Sequence, residues 1–301
     1  MRVGAVDLGT NSTRLLVADV EDGTVRELER RLRITRLGEA VDTRRKLLPV
    51  AIARVRNVLS DYRRELEQLG VERTLAVATS AVRDADNGVA FLGEVEWSYG
   101  FTTRLLSGDE EAELTYRGVA SDRSLDPGTM IVDIGGGSTE LILPGRHTSL
   151  DVGCVRLTER FGEDADTAGD FVGELLPQWP VDAAIGVAGT VTSLAALDLG
   201  LVDYDPERVH GHVLTAAAVD EQLRRLASLP LEERRRLPGL EPERAPVIVA
   251  GAAILREVLR CYELSSIEAS EHDLLHGVAL AAAELPAPAE DVIPPGAYTC
   301  C

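Results

Sequence analysis

The sequence predicts an α/β protein built of two related domains, and three observations carry that expectation. The first is a glycine hairpin, Asp133-Ile134-Gly135-Gly136-Gly137-Ser138-Thr139, with an apolar strand leading in and an alternating strand leading out. The second is a repeat: Asp7-Leu8-Gly9-Thr10-Asn11-Ser12-Thr13-Arg14-Leu15 aligns on Asp133 to Leu141 without gaps, 126 residues earlier. That spacing is too long for a solenoid and suits a duplicated domain. The third is the segment 121–128, whose Pro127-Gly128 is the strongest boundary signal in the chain. The expected domains are 1–124 and 125–285, with a Pro-rich flexible tail at 286–301.

Taken in order, strands are expected near 3–7, 14–20 and 25–36, the second alternating through Leu15, Val17 and Val20. Leu48, Ile52, Val55, Leu59, Tyr62, Leu66 and Leu69 recur at helical spacing, and Gly70 stops that helix. A buried strand at 74–79, a helix near 86–98, a strand at 102–106 and a helix at 110–120 complete the first domain. The second opens with strands at 129–134, 139–143 and 147–152, helices near 155–162 and 168–179, and a strand at 184–188. Helices near 190–199, 216–228, 231–237 and 244–262 follow, then a strand at 266–270 and a helix at 272–284. Strands mixed with helices in this way form a sheet flanked by helices.

With 301 residues there is room for two cores, and a 45% hydrophobic fraction beside 27% charged residues is that of a globular protein. No apolar run reaches 18 residues and Met1-Arg2 leads straight into a strand, so neither a membrane span nor a signal peptide is expected, and the location is read as cytoplasmic. A net charge of −19 speaks against nucleic-acid and anionic-membrane partners. It also opposes a polyanionic substrate, a tension that a local basic pocket in an acidic body would resolve. Of 31 basic residues only Lys46 is a lysine; arginine suits two-pronged phosphate contacts, although a genome-wide composition bias gives the same pattern. The four cysteines have no C-x-x-C spacing and imply neither zinc nor a disulfide framework.

A hairpin tip with three glycines tolerates positive φ and lets successive N–H groups converge on a phosphate, with the Ser138 hydroxyl as a further donor. Asp133 would repel a phosphate, so its natural work beside one is to hold Mg²⁺, with Asp7 in the same position of the first copy. Glu110 and Glu111 open a helix after a strand; either could be the base that activates water, or both could simply complement the helix dipole. Arg83, just after a buried strand, is placed to fork two phosphate oxygens. Gly189-Thr190 puts a helix start at a strand end, where free N–H groups favour an anion and Thr190 could also act as N-cap. His210-Gly211-His212 lacks an adjacent carboxylate and reads as loop, and His272 as a helix-start residue. Nothing near Cys154 except Arg156 would lower its pKa, so it is not read as a nucleophile.

These stretches together resemble one family. Val6 to Ser12, Ala78-Thr79-Ser80-Ala81-Val82-Arg83, Ser107-Gly108-Asp109-Glu110-Glu111-Ala112, Val132 to Ser138 and Gly186-Val187-Ala188-Gly189-Thr190 are similar, in order, to the motifs of the exopolyphosphatase/guanosine pentaphosphate phosphatase family. That family lies within the actin, sugar kinase and Hsp70 superfamily. The resemblance covers residues 1 to 285 and implies two ribonuclease-H-like (actin-like ATPase) domains facing a central cleft. It implies Glu111 as catalytic base with Glu110 second. Phosphate ligands would be Asn11, Ser12, Ser80, Arg83, Gly135, Gly136, Gly137, Ser138, Gly189 and Thr190. Mg²⁺, or Mn²⁺, would sit on Asp133 and Asp7, while Arg14, Glu140, Arg156 and Glu271 line the cleft, and Gly153 and Arg156 would be structural or phosphate-proximal.

The expected activity is hydrolysis of the terminal phosphoanhydride of inorganic polyphosphate by direct attack of water. A guanosine pentaphosphate (pppGpp) 5′-phosphatase is the alternative enzyme, since both substrates end in the same bond, and a non-hydrolytic alarmone or nucleotide sensor is the alternative outside catalysis. Longer family members carry a C-terminal helical extension that this chain ends before, so short polyphosphate is the expected preference. A homodimer is implied by the family alone.

Overall fold

The structure is a computed structural model and describes residues 1–286. The chain divides into two compact units. In the first, strands β1 (Arg2–Leu8), β2 (Ser12–Glu21), β3 (Thr24–Ile34), β4 (Arg73–Ala78) and β5 (Thr102–Leu105) form a sheet of order β3-β2-β1-β4-β5. β1, β2 and β3 pair antiparallel, and β4 and β5 join in parallel. Alternation along β1 and β2 buries both faces: Val6, Leu8, Leu15 and Val17 meet the helices Pro49–Gln68 and Gly88–Tyr99, while Val3, Ala5, Leu16 and Ala18 meet the opposite layer. β3 is a long edge strand whose run of Arg and Glu residues discourages pairing with another chain.

The second unit repeats the plan. Strands β6 (Thr129–Ile134), β7 (Thr139–Leu143), β8 (Arg146–Leu150), β9 (Ala183–Val187), β10 (Val213–Thr215) and β11 (Ser266–Ala269) form a sheet of order β10-β11-β9-β6-β7-β8. Without β10 this is the order of the first sheet, with the same antiparallel and parallel partners. Each unit therefore has the ribonuclease-H-like arrangement of actin-like ATPases, and the α/β class holds.

Four differences from the sequence reading have physical causes. The last helix, Leu274–Ala283, belongs to the first unit and not to the 125–285 domain: Leu274, Leu275, Val278 and Ala279 complete the layer under Val3, Ala5, Leu75 and Val77. A helix of nearly unbroken apolar residues carries no mark of which half of the chain it will cover. Second, β10 was not expected, because three residues are too few for a periodic signal. Third, the helix expected near 86–98 runs over Gly88–Tyr99, and a separate short helix, Ser80–Arg83, precedes it; Gly88 packs so closely on Val82 that a Cβ would lie 1.9 Å from its carbonyl oxygen. Fourth, the 244–262 helix begins only at Ile248, after a 3₁₀ turn at Pro242–Arg244. The tail and Cys300-Cys301 lie outside the described residues. No described helix is long and apolar enough to cross a membrane.

Candidate active site

In the first unit, Gly9-Thr10-Asn11 turns β1 into β2, and the Gly9 N–H closes the turn on the Ser12 carbonyl at 3.0 Å. The Thr10 carbonyl accepts from the Gly38 N–H at 2.8 Å, and the Asn11 carbonyl accepts from Thr35 and Arg36 at 3.0 and 2.9 Å. In a planar trans peptide the N–H points opposite to the C=O, so these bonds aim the N–H groups of Asn11 and Ser12 away from the supporting segment. Asn11 is buried, and among the described residues its Nδ2 has no hydrogen-bond partner. Gly38 is required for the close approach, since a Cβ there would lie 2.3 Å from Thr10 Cγ2.

The second hairpin is built in the same way. The Gly135 N–H meets the Ser138 carbonyl at 3.0 Å. The Gly135 carbonyl accepts from Cys154 and the Gly136 carbonyl from Val155 and Arg156, so the first turn of the helix Cys154–Phe161 grips the loop. Arg156 Nε adds a bond to the Gly137 carbonyl at 2.8 Å. The N–H groups of Gly136, Gly137 and Ser138 consequently face away from that helix, as an anion site requires. Gly153 stands where Gly38 stands in the first unit, and a Cβ on it would come within 2.4 Å of the Gly136 backbone. Arg156 thus takes the supporting role.

The aspartates of the two copies differ in what faces them. Asp7 lies across the β1–β2 pair from Arg14, whose Nε donates to Asp7 Oδ2 at 2.8 Å. At the equivalent positions of the second unit, Asp133 lies across from Glu140, and both are buried, at 6% and 1% exposure. Glu140 accepts from the Ser149 hydroxyl at 2.6 Å. Two buried carboxylates side by side repel unless a cation joins them, and hard oxygen donors suit Mg²⁺. The arrangement fits a metal at Asp133 and Glu140, whereas Asp7 already has a cation against it. Asp7, the other residue expected to hold metal, stands at the matching position of the first unit.

The two glutamates at the helix Gly108–Val119 also separate. Glu110 closes a capping box with Ser107: its carboxylate accepts from the Ser107 N–H at 2.9 Å and its own N–H donates to Ser107 Oγ at 3.2 Å. The Ser107 backbone bond holds the Glu110 carboxyl below its ordinary pKa. Glu111 is instead 7% exposed and lies 3.3 Å from Arg83 Nη1, which also donates to the Leu106 carbonyl at 2.8 Å. Arg83 Nε and Nη2 have no protein partner among the described residues. Ser80, buried, opens the short helix that ends at Arg83. Strand alternation places Asp7 and Arg14 on the sheet face covered by the helix Leu274–Ala283, against which the Gly108–Val119 helix that carries Glu111 packs.

In the second unit, the helix Ala188–Asp198 starts two residues before the expected Thr190 cap, on Ala188 at φ 64, a left-handed conformation that is costly for alanine. Thr190 is buried in its first turn against Gly251. Gly189 lies directly beneath the Arg244 guanidinium, where any Cβ would meet Nη1 at 1.9 Å. Arg244, fixed to Glu241 at 3.2 Å, is a cation at this helix start that no sequence pattern flagged, because it sits in an irregular turn far along the chain. Cys154 lies near it, but burial raises its thiol pKa more than Arg244 lowers it, as an inert thiol requires. Glu271 accepts from the Tyr204 hydroxyl, and its N–H donates to His210 Nδ1 at 3.2 Å. His212, read as lacking a carboxylate, is 2.7 Å from Asp198.

The sequence of M. tuberculosis Exopolyphosphatase 2 is 38% identical to this chain over 94% of it and 98% of the relative. The solved structure of the Aquifex aeolicus PPX-GPPA enzyme superposes with a TM-score of 0.79 at 34% identity, covering 93% of this chain and 99% of that one. A guanosine-5′-triphosphate,3′-diphosphate pyrophosphatase of Photobacterium profundum is 27% identical over 91% of this chain and 58% of its own length. Residues 16–285 match the description "Ppx/GppA phosphatase family". With paired hairpins, a buried glutamate held by an arginine, and that match along nearly the whole chain, the protein belongs to the Ppx/GppA phosphatase family.

Proposed function

We infer that the protein is an exopolyphosphatase that hydrolyses the terminal phosphoanhydride of inorganic polyphosphate and releases orthophosphate. The observation that carries this reading is Glu111: a buried carboxylate held beside Arg83, the arginine expected to bind the terminal phosphate. Glu111 takes a proton from the attacking water as the new P–O bond forms on the terminal phosphorus. The bridging P–O bond breaks and the shortened chain leaves with that electron pair. Arg83 lies against Glu111 and offers its remaining donors to the phosphate. The N–H groups at Asn11 and Ser12 and at Gly136 to Ser138, with Ser80, Gly189 and Thr190, bind phosphate oxygens, and Arg14 and Arg244 add charge. Asp133 and Glu140 would hold Mg²⁺, which supplies charge neutralisation on the phosphate oxygens. Glu110 is a helix cap, and Arg156 and Glu271 are supports.

The family resemblance further supports a cytoplasmic homodimer. The relative from Photobacterium supports pppGpp as a second substrate. The test is phosphate release from tripolyphosphate, a longer polyphosphate, pppGpp and ATP, with and without Mg²⁺. Release from polyphosphate that EDTA abolishes is expected; turnover of pppGpp alone would overturn the polyphosphate reading. Glu140→Gln is expected to raise the Mg²⁺ concentration for half-activity by about 10-fold or more. An unchanged metal requirement would remove Glu140 from the metal site.

A further inference from the structure

We propose that the segment Arg36–Lys46 of the first unit is a docking track for the distal phosphates of a polyphosphate chain, using Arg36, Arg44, Arg45 and Lys46. The ligand identity rests on the hydrolase reading above. Most arginines of this unit are spent on carboxylates: Arg2 on Asp19, Arg14 on Asp7, Arg56 on Glu94 and Arg83 on Glu111. Among the described residues, the side chains of Arg36, Arg44, Arg45 and Lys46 have no such partner, and all four are exposed. Eleven residues thus hold four cations, including the only lysine of the chain, against two carboxylates, Glu39 and Asp42. Glu39 is already engaged by Arg54 at 2.8 Å. The segment is locally positive in a protein of net charge −19, where a polyanion needs a local attraction to offset the field of the whole body.

Its place in the fold connects it to the terminal-phosphate ligands. At one end, the Arg36 and Gly38 N–H groups bind the carbonyls of Asn11 and Thr10 in the β1–β2 hairpin. At the other, the Asp86 N–H donates to the Arg45 carbonyl at 2.7 Å, and Asn87 exchanges two bonds with the Leu47 backbone at 2.8 and 3.1 Å. Asp86 and Asn87 follow the helix Ser80–Arg83 after Asp84 and Ala85. The basic segment therefore runs between the two elements that present Asn11, Ser12, Ser80 and Arg83. Leu37, Val41 and Leu47 anchor it in the core while its charges face solvent. A linear chain with a charge on every unit can meet such a row in sequence. A substrate no longer than its reacting end cannot.

The test compares wild type, Arg44→Gln/Arg45→Gln/Lys46→Gln and Arg44→Lys/Arg45→Lys. Tripolyphosphate and a longer defined polyphosphate are titrated calorimetrically, and phosphate release is followed in parallel. For the Gln variant, Kd and KM for the longer chain are expected to rise about 10-fold or more, while those for tripolyphosphate stay within about 2-fold. The slope of log Kd against log salt should fall by roughly two units for the longer chain. The Lys variant should behave as wild type. Equal losses on both substrates, or no loss on either, would overturn the proposal. If wild type binds the longer chain without releasing phosphate, the hydrolase reading fails, and the binding ratio of variant to wild type alone decides the track.

Discussion

Glu110 and Glu111 are neighbours with different work, and their environments say which is which. Glu110 makes both bonds of a capping box at the helix surface, while Glu111 is buried on an arginine. Glu110→Gln keeps a capping-box side chain, so it is expected to cost about 0.5 kcal/mol or less and to leave turnover near wild type, read by chemical denaturation beside phosphate release. In the sequence the two were separable only by family resemblance, because dipole complementarity explains acidic residues in any first turn. The hairpin aspartates were legible as a pair, but Arg14 and Glu140, seven residues beyond each, carry the difference in meaning, and that became visible only from the cross-strand register. Arg244 was illegible altogether: its contact with Gly189 joins residues over fifty positions apart through an irregular turn. The structure of Gly153 leads to a sharper expectation. Gly153→Ala would push a Cβ into the Gly136 backbone, destabilising the second unit by about 3 kcal/mol or more and abolishing turnover; a variant with wild-type Tm and activity would contradict the grip on the loop.

At the scale of elements, the duplication was readable because a glycine hairpin needs special residues at fixed places, and so it leaves a mark that β10 or a 3₁₀ turn does not. The last helix left no such mark. It is fixed to the first unit by apolar packing and by buried His276, whose Nε2 lies 3.0 Å from Glu27 on β3. Burial alone would raise the Glu27 pKa, but the His276 hydrogen bond and the nearby Arg30 outweigh it and bring it to about 2 from an ordinary 4.5. A carboxyl depressed in the folded state contributes stability that is complete above about 4.5 and is lost as pH falls toward about 2. More than a third of the Glu27 side chain remains exposed, at 37%, so solvent screening reduces the effect to on the order of 1 kcal/mol. Glu27→Gln should therefore flatten the acid limb of a stability–pH curve in that window; an identical acid limb would show that the pair does not couple to folding.

For the whole molecule, the division of the chain makes the first unit discontinuous, from Met1–Arg123 and from the described residues after Asp273. Leu274, Leu275 and Val278 are buried under its sheet, and at about 1.5–3 kcal/mol each their loss approaches the full stability of an ordinary domain. A chain stopped after Asp273 is expected to lose hydrogen-exchange protection in β1, β2 and β4 while keeping it in β6 and β9; uniform protection would contradict the assignment. One measurement tests Glu111 directly as the base of a phosphoanhydride hydrolase: single-turnover phosphate release from tripolyphosphate by wild type and Glu111→Gln, with Mg²⁺ present and binding measured in parallel. The predicted result is unimpaired binding with a rate about 10²-fold lower or more in the variant. A variant that binds and releases phosphate at the wild-type rate would contradict it.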